Sequence, residues 1–91
     1  MSEPRWRRRS DVLWRRSSDT VIILPSNAPD AVTLAATGPE LWELLRTPLR
    51  VDALIAALAA AHHADRSVVE GEVRPVLARL AELGAIEAVG E

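Results

Sequence analysis

Alternation of apolar and polar residues over the first third of the chain predicts three short strands. In the segment 11–16, Val12 and Trp14 fall on one face of an extended backbone. The segment 20–24 is a dense β-branched run, and the segment 31–35 alternates again. Because only a turn separates the second strand from the third, we expect a three-stranded antiparallel meander.

The segment 30–45 changes from a two-residue period to helical spacing within one stretch. Its first half places small residues at the odd positions and Val32 and Leu34 at the even ones, as in a strand with one buried face. Thr37 then begins a Thr-x-x-Glu capping box with Glu40, which predicts the start of a helix. We therefore expect the third strand to lead into a helix with almost no loop.

Three helices are predicted after the strands. The first covers 39–45 and the second about 51–61, with an apolar side formed by Val51, Leu54, Ile55 and Leu58. The third covers 67–83 and has the apolar positions Val69, Val73, Val76, Leu77, Leu80 and Leu83. A Ser67-x-x-Glu70 box is expected to cap it, and Gly84 to end it. The predicted fold class is α+β, a three-stranded antiparallel sheet followed by three helices.

Two features near the C-terminus affect the local geometry of the third helix. Pro75 has no N–H, and its ring crowds the carbonyl of Gly71, so we expect a kink between these residues. The segment 85–89 after Gly84 is predicted to form a short wing or to fray.

Composition excludes several classes of function. The chain of 91 residues has no cysteine, which removes disulfides, thiolate metal sites and cysteine nucleophiles. His62 and His63 are adjacent, so on a helix they point about 100° apart and do not form an i, i+4 metal pair. No glycine-rich phosphate loop and no catalytic triad is evident, and the apolar stretches are too short to cross a bilayer. We expect a cytoplasmic, single-domain protein that is not an enzyme, has no cofactor or metal and makes no membrane contact.

The beginning of the chain is basic, whereas the remainder is acidic. Six of the eleven arginines lie in the first 16 positions against two acidic residues, and five lie in the remainder against eleven acidic residues. We therefore interpret 1–9 as a basic N-terminal arm and 10–91 as the folded domain. A solubilising flank is favoured over a nucleic-acid contact, because an acidic body is poorly suited to phosphate.

The order of these elements resembles the PqqD-like family of recognition elements for ribosomally synthesised, post-translationally modified peptides. The resemblance lies in three strands, then TGPELWELLRTPLRVDALIAALAAAHHAD, then a long helix that ends LARLAELGAIE. It covers 10–87 and implies a fold similar to a winged helix-turn-helix. Members of this family bind the leader segment of a precursor peptide, so the resemblance implies a leader-binding protein rather than an enzyme.

A free-standing member of this size is most similar to the split leader-binding protein of lasso-peptide pathways. That similarity implies two partner enzymes, a leader peptidase and a cyclase resembling asparagine synthetase. It also implies a leader that often carries a Tyr-x-x-Pro motif, whose aromatic ring suits an apolar groove.

Strand addition is the binding mode that the resemblance and the sequence favour together. If the third strand lies at the edge of the sheet, an extended leader can pair with it, while the third helix supplies a second wall. The predicted leader-binding residues are Ala31, Val32, Thr33, Leu34, Ala35, Val69, Glu72, Val73 and Val76.

Two other functions stay open at the level of sequence. A winged-helix DNA-binding regulator would need a basic recognition helix, but the third helix offers only Arg74 and Arg79 against three glutamates. A structural subunit that docks on an enzyme would fit the abundant alanine and an exposed Trp6.

Overall fold

Three helices and two three-stranded antiparallel sheets make up the fold in a computed structural model that describes residues 3–25 and 29–90. In chain order the elements are β1 Arg5–Arg8, β2 Leu13–Arg16, β3 Val21–Leu24, β4 Val32–Leu34, α1 Gly38–Leu44, β5 Leu49–Arg50, α2 Val51–His62, α3 Arg66–Glu82 and β6 Ile86–Val89. The predicted α+β class is confirmed. Within the described ranges, no helix has both the length and the apolar character needed to span a bilayer.

The predicted meander is the sheet with strand order β2-β3-β4. Leu13 of β2 pairs with Leu24 of β3, and Val21 of β3 pairs with Leu34 of β4. The β-branched run of β3 alternates as expected, because Val21 and Ile23 are buried whereas Ile22 faces outward. β4 is an edge strand of this sheet, as the leader-binding hypothesis requires.

The second sheet has the order β5-β1-β6 and is not predicted from the sequence. Its central strand is Arg5–Arg8, which the sequence assigns to a basic arm; in the structure these four residues pair with β5 and β6. Trp6 packs against the core and Arg8 is half-buried. Because one of the two inward positions of β1 is an arginine, the sequence lacks the apolar alternation of a strand here. The segment after Gly84 supplies the partner strand β6, with Arg8 opposite Ile86.

The helices pack their predicted apolar sides into one core. α2 buries the four positions expected of it, and α3 buries Val69, Val73, Leu77 and Leu80. Trp42 of α1 is the largest fully buried side chain. Full burial of one such apolar side chain stabilises the fold by about 1.5–3 kcal/mol, so this shared core fixes the positions of α1 and α3 relative to the sheet.

Both predicted capping boxes are wrong. Thr37 is the N-cap of α1, but its φ of −82° and ψ of −8° are already helical, and its side chain makes no cap hydrogen bond. A capping side chain needs an extended backbone and reaches the N–H groups of the second or third helical residue; here Pro39 has no N–H. The N-cap of α3 is Asp65, so Ser67 lies inside the helix.

α3 continues from Arg66 to Glu82 with Pro75 inside it, so the helix does not break at the proline. Its end follows the predicted glycine signal. Gly84 adopts a φ of 75°, and the N–H of Ala85 donates to the carbonyl of Leu80 at 2.9 Å, which is the hydrogen bond of a glycine-terminated helix. This ending directs the chain into β6.

Candidate functional site

A cavity of about 500 Å³ is lined by β4, by the connection from β4 into α1, and by α3. We call it the β4–α3 groove. Its lining residues are Val32, Thr33, Leu34, Ala35, Ala36, Thr37, Gly38, Glu72, Val76, Arg79 and Leu80. The groove therefore combines the unpaired edge of a sheet with one face of a helix.

The strand side of the groove is the short strand β4. Thr33 pairs with Ile22 of β3 and is exposed, whereas Leu34 is buried. Successive residues of an antiparallel strand direct their backbone groups to opposite sides, so β4 has N–H and C=O groups that β3 does not use. An edge of this kind is a template for another extended chain.

The end of the groove is shaped by close packing between β4 and α1. Ala36 adopts a φ of 56°, and the N–H of Gly38 donates to the carbonyl of Ala35 at 2.9 Å. A Cβ atom on Gly38 would lie 2.8 Å from the Cβ of Leu34. Glycine is therefore needed at this position, because no larger residue allows the strand and the helix to approach so closely.

The helix side of the groove is one of two neighbouring faces of α3. Val69, Val73 and Leu77 belong to the core face, and Glu72, Val76 and Arg79 belong to the groove face. Since each helical residue advances by about 100°, the centres of these two faces are separated by roughly a quarter of a turn. Leu80 lies between them and contributes to both.

Charged side chains border the apolar part of the groove. Glu72 and Arg79 are exposed and lie seven residues apart on α3, which corresponds to about 10 Å along a helix axis. In the part of the chain that the structure describes, neither side chain forms an ion pair. The groove thus has a carboxylate on one side of Val76 and a guanidinium on the other.

Six of the nine residues predicted to bind a leader lie together in this groove: Val32, Thr33, Leu34, Ala35, Glu72 and Val76. Ala31 is exposed beside the groove and does not line it. Val69 and Val73 are buried in the core and do not reach the cavity. Their assignment to the groove wall therefore needs correction, since they belong to the core face of α3.

Five lining residues are not predicted from the sequence: Ala36, Thr37, Gly38, Arg79 and Leu80. Arg79 was detectable, because it follows Val76 by three residues and Glu72 by seven, which is the spacing of one helix face. The left-handed backbone at Ala36 has no signal in the sequence, since alanine rarely adopts a positive φ.

The histidines at the end of α2 lie outside the groove. His62 and His63 are exposed, and Nε2 of His62 lies 2.8 Å from Oε1 of Glu40. Among residues 3–25 and 29–90, no group of three or more histidine and carboxylate side chains is arranged to hold a metal ion.

A family model and a solved structure match this chain. The family described as coenzyme PQQ synthesis protein D (PqqD) matches residues 20–86. The solved structure of TbiB1 in complex with the TbiA(beta) leader peptide is similar to this chain, with 26% sequence identity and a TM-score of 0.77. The match covers 93% of this chain and 99% of that one. No curated protein matches the sequence.

Proposed function

Because the chain belongs to the PqqD family, we propose that it binds the leader segment of a ribosomally synthesised precursor peptide in the β4–α3 groove. The observation that carries this proposal is the position of the edge strand β4 beside the groove face of α3. An incoming strand finds backbone partners on one side and apolar side chains on the other. The similarity to TbiB1, whose structure contains a leader peptide, supports the same function.

The leader would be held by two kinds of contact. Its backbone extends sheet β2-β3-β4 beyond β4, and this interaction tolerates many leader sequences. Every second leader side chain then points toward Val76 and Leu80, where an aromatic ring such as that of a Tyr-x-x-Pro motif would be buried. Glu72 and Arg79 select leaders with complementary charge and orientation.

The expected affinity follows from these contacts. Four or five backbone hydrogen bonds at ~1 kcal/mol each, with ~2–3 kcal/mol for one buried aromatic ring, give about 6–8 kcal/mol. Other apolar contacts in the groove must offset the ordering of a disordered peptide. A dissociation constant of roughly 1 μM follows, which suits a protein that must release its cargo.

We further propose that the bound leader is presented to a leader peptidase and an asparagine synthetase-like cyclase in lasso-peptide biosynthesis. Members of the PqqD-like family are generally non-catalytic binding proteins, which supports a role in delivery. The protein alone should then leave a precursor chemically unchanged. Mass spectrometry after incubation of the purified protein with precursor tests this, and any mass change that depends on the protein contradicts it.

Calorimetric titration with synthetic leader peptides, beginning with the TbiA(beta) leader, tests binding directly. Backbone amide shifts measured by NMR on the same samples should concentrate in 31–38 and 72–80. Micromolar binding that perturbs these segments supports the proposal. Absence of binding by every leader tested, shifts confined to other surfaces, or tighter binding of duplex DNA at physiological salt would overturn it.

A further inference from the structure

A second cavity, of about 370 Å³, lies between β1, β2 and the end of α1 and shares no residue with the β4–α3 groove. We call it the arginine pocket. Its lining residues are Arg7, Arg8, Arg9, Ser10, Val12, Trp14 and Arg46. Four cationic side chains and no carboxylate therefore surround one opening.

Three of these arginines are neutralised by carboxylates beside the pocket. The ion pairs join Arg7 to Glu87 at 2.8 Å, Arg9 to Asp11 at 3.0 Å and Arg46 to Glu43 at 3.1 Å. Arg8 forms no ion pair with any residue in the described part of the chain. Arg8 is therefore the pocket arginine that no carboxylate contacts directly.

The guanidinium of Arg8 lies against two tryptophan rings. Its central carbon is 4.9 Å from the centroid of Trp14 and 5.4 Å from that of Trp42, and the two rings meet edge-on. Within residues 3–25 and 29–90, Nη1 is shielded from solvent and has no hydrogen-bond partner. Desolvation by burial lowers the pKa of Arg8, although Glu43 opposes this effect; an arginine nevertheless stays charged.

We propose that the arginine pocket binds the carboxylate of an acidic side chain on a protein partner. Nη1 is shielded from solvent, whereas the exposed part of the Arg8 side chain lines the pocket, where a carboxylate can take the place of water as its partner. A planar guanidinium held by two rings presents its remaining donors in the fork that matches a carboxylate. This site is separate from the groove and does not depend on leader binding.

The surroundings of the pocket identify a protein as the source of the carboxylate. Trp14 also borders an exposed apolar surface formed by Leu13, Ile22 and Leu24 on the outer face of β2 and β3. Tryptophan and arginine next to apolar side chains are typical anchors of protein interfaces. Trp14 on the edge strand β2 borders both this surface and the pocket, so a partner that covers the apolar surface at this edge can place an acidic side chain in the pocket.

The test uses two capped tripeptides that differ only in charge, Ac-Leu-Glu-Leu-amide and Ac-Leu-Gln-Leu-amide. NMR of the ¹⁵N-labelled full chain follows the indole N–H signals of Trp14 and Trp42 during titration. The glutamate peptide should shift both signals saturably and bind at least about tenfold more tightly than the glutamine peptide. Equal binding of the two peptides, or shifts confined to groove residues such as Thr33, would overturn the proposal.

Variants and a second anion sharpen the result. Arg8→Met keeps an aliphatic stem against the rings and should abolish the preference for glutamate, whereas Arg16→Met, on β2 outside the pocket, should preserve it. If Arg8→Met does not fold, the comparison of the two peptides on the unmodified protein still tests whether the pocket prefers a carboxylate. Inorganic phosphate at equal ionic strength that shifts the same signals at lower concentration would show a phosphate site instead.

Discussion

Val73 and Val76 lie three residues apart on α3 but belong to different faces of the helix. Val73 is 2% exposed and packs in the core, whereas Val76 is partly buried and lines the β4–α3 groove. Three residues advance a helix by about 300°, so the two side chains point about 60° apart. That angle separates a residue that holds the fold together from one that is free to contact a ligand.

Val76→Asp should leave the domain folded and weaken leader binding at least tenfold. A charge at this position cannot be hydrated once the leader covers the groove, and its desolvation costs at least about 1.4 kcal/mol. Calorimetric titration with the leader that binds the unmodified protein measures the effect, and circular dichroism verifies the fold. Val68→Asp on the exposed side of the same helix is the matched control; equal affinities of both variants would contradict this account of the groove.

Val73→Asp should instead destabilise the domain by at least about 3 kcal/mol, because it places an unpaired charge in the core. Thermal unfolding followed by circular dichroism measures this. A well-folded Val73→Asp protein that has lost leader binding would mean that Val73 belongs to the groove after all.

Gly38→Ala should lower both stability and leader affinity. The new methyl group would come within 2.8 Å of the Cβ of Leu34, and relieving such an overlap costs about 1–3 kcal/mol and moves β4 away from α1. Chemical denaturation and leader titration measure the two effects. Gly71→Ala is the control, and the opposite effect is expected. Apart from the adjoining residues and the backbone of its own helix, no atom lies within 4 Å of the added methyl group, so this substitution should stabilise α3 by about 0.5–1 kcal/mol.

Leu54→Ala and Leu13→Ala make the same chemical change in two environments. Leu54 is fully buried between the helices, whereas Leu13 is 70% exposed on β2. The first substitution should cost about 2–5 kcal/mol of unfolding free energy and the second less than about 0.5 kcal/mol. Urea denaturation measures both, and similar losses would show that the core is not where the structure places it.

Removal of residues 1–8 should destabilise the whole domain, because it deletes the central strand of sheet β5-β1-β6 together with Trp6. The midpoint of thermal unfolding should fall well below that of a chain lacking only residues 1–4, which keeps β1. An unchanged midpoint for the longer deletion would restore the interpretation of this segment as a dispensable arm.

Leader binding by strand addition should respond to backbone methylation with a period of two. N-methylation of a leader residue whose N–H faces β4 removes one hydrogen bond of about 1 kcal/mol, whereas the next residue directs its N–H away. Affinities of a series of singly methylated leaders should therefore alternate by about fivefold. Thr33→Ala should change affinity little, and a series without alternation would exclude this binding mode.

Local patterns in the sequence account for the elements that could be predicted. The β-branched run of β3 and the helical spacing of Leu54 and Leu58 are determined by neighbouring residues, and both elements form where the patterns indicate. β1 could not be found in this way. Its partner in β6 is about 80 residues distant, as in the contact of Arg7 with Glu87, and its inward positions include an arginine.

The groove was predictable only in part, for a related reason. The alternation of residues predicts β4, and helical spacing predicts that Val76 lies on the apolar side of α3. Which residues of α3 face the core and which face the groove depends on the elements that pack against the helix. The spacing of three residues between Val73 and Val76 does not by itself show that they belong to different faces of the helix. The positive φ of Ala36 depends on the approach of α1 to β4 and has no local cause.

The pairing of β1 with β6 also affects how the chain folds during synthesis. The strands β2, β3 and β4 become available to one another within the first 34 residues, whereas β1 has only the two-residue strand β5 as a partner until β6 has been translated to Val89. At about 5–20 residues per second the interval between Leu34 and Val89 lasts several seconds, during which one edge of β1 stays unpaired. Three of its four residues are arginine. Their like charges would keep neighbouring nascent chains from pairing through this strand, so the basic sequence protects the unfinished domain from aggregation.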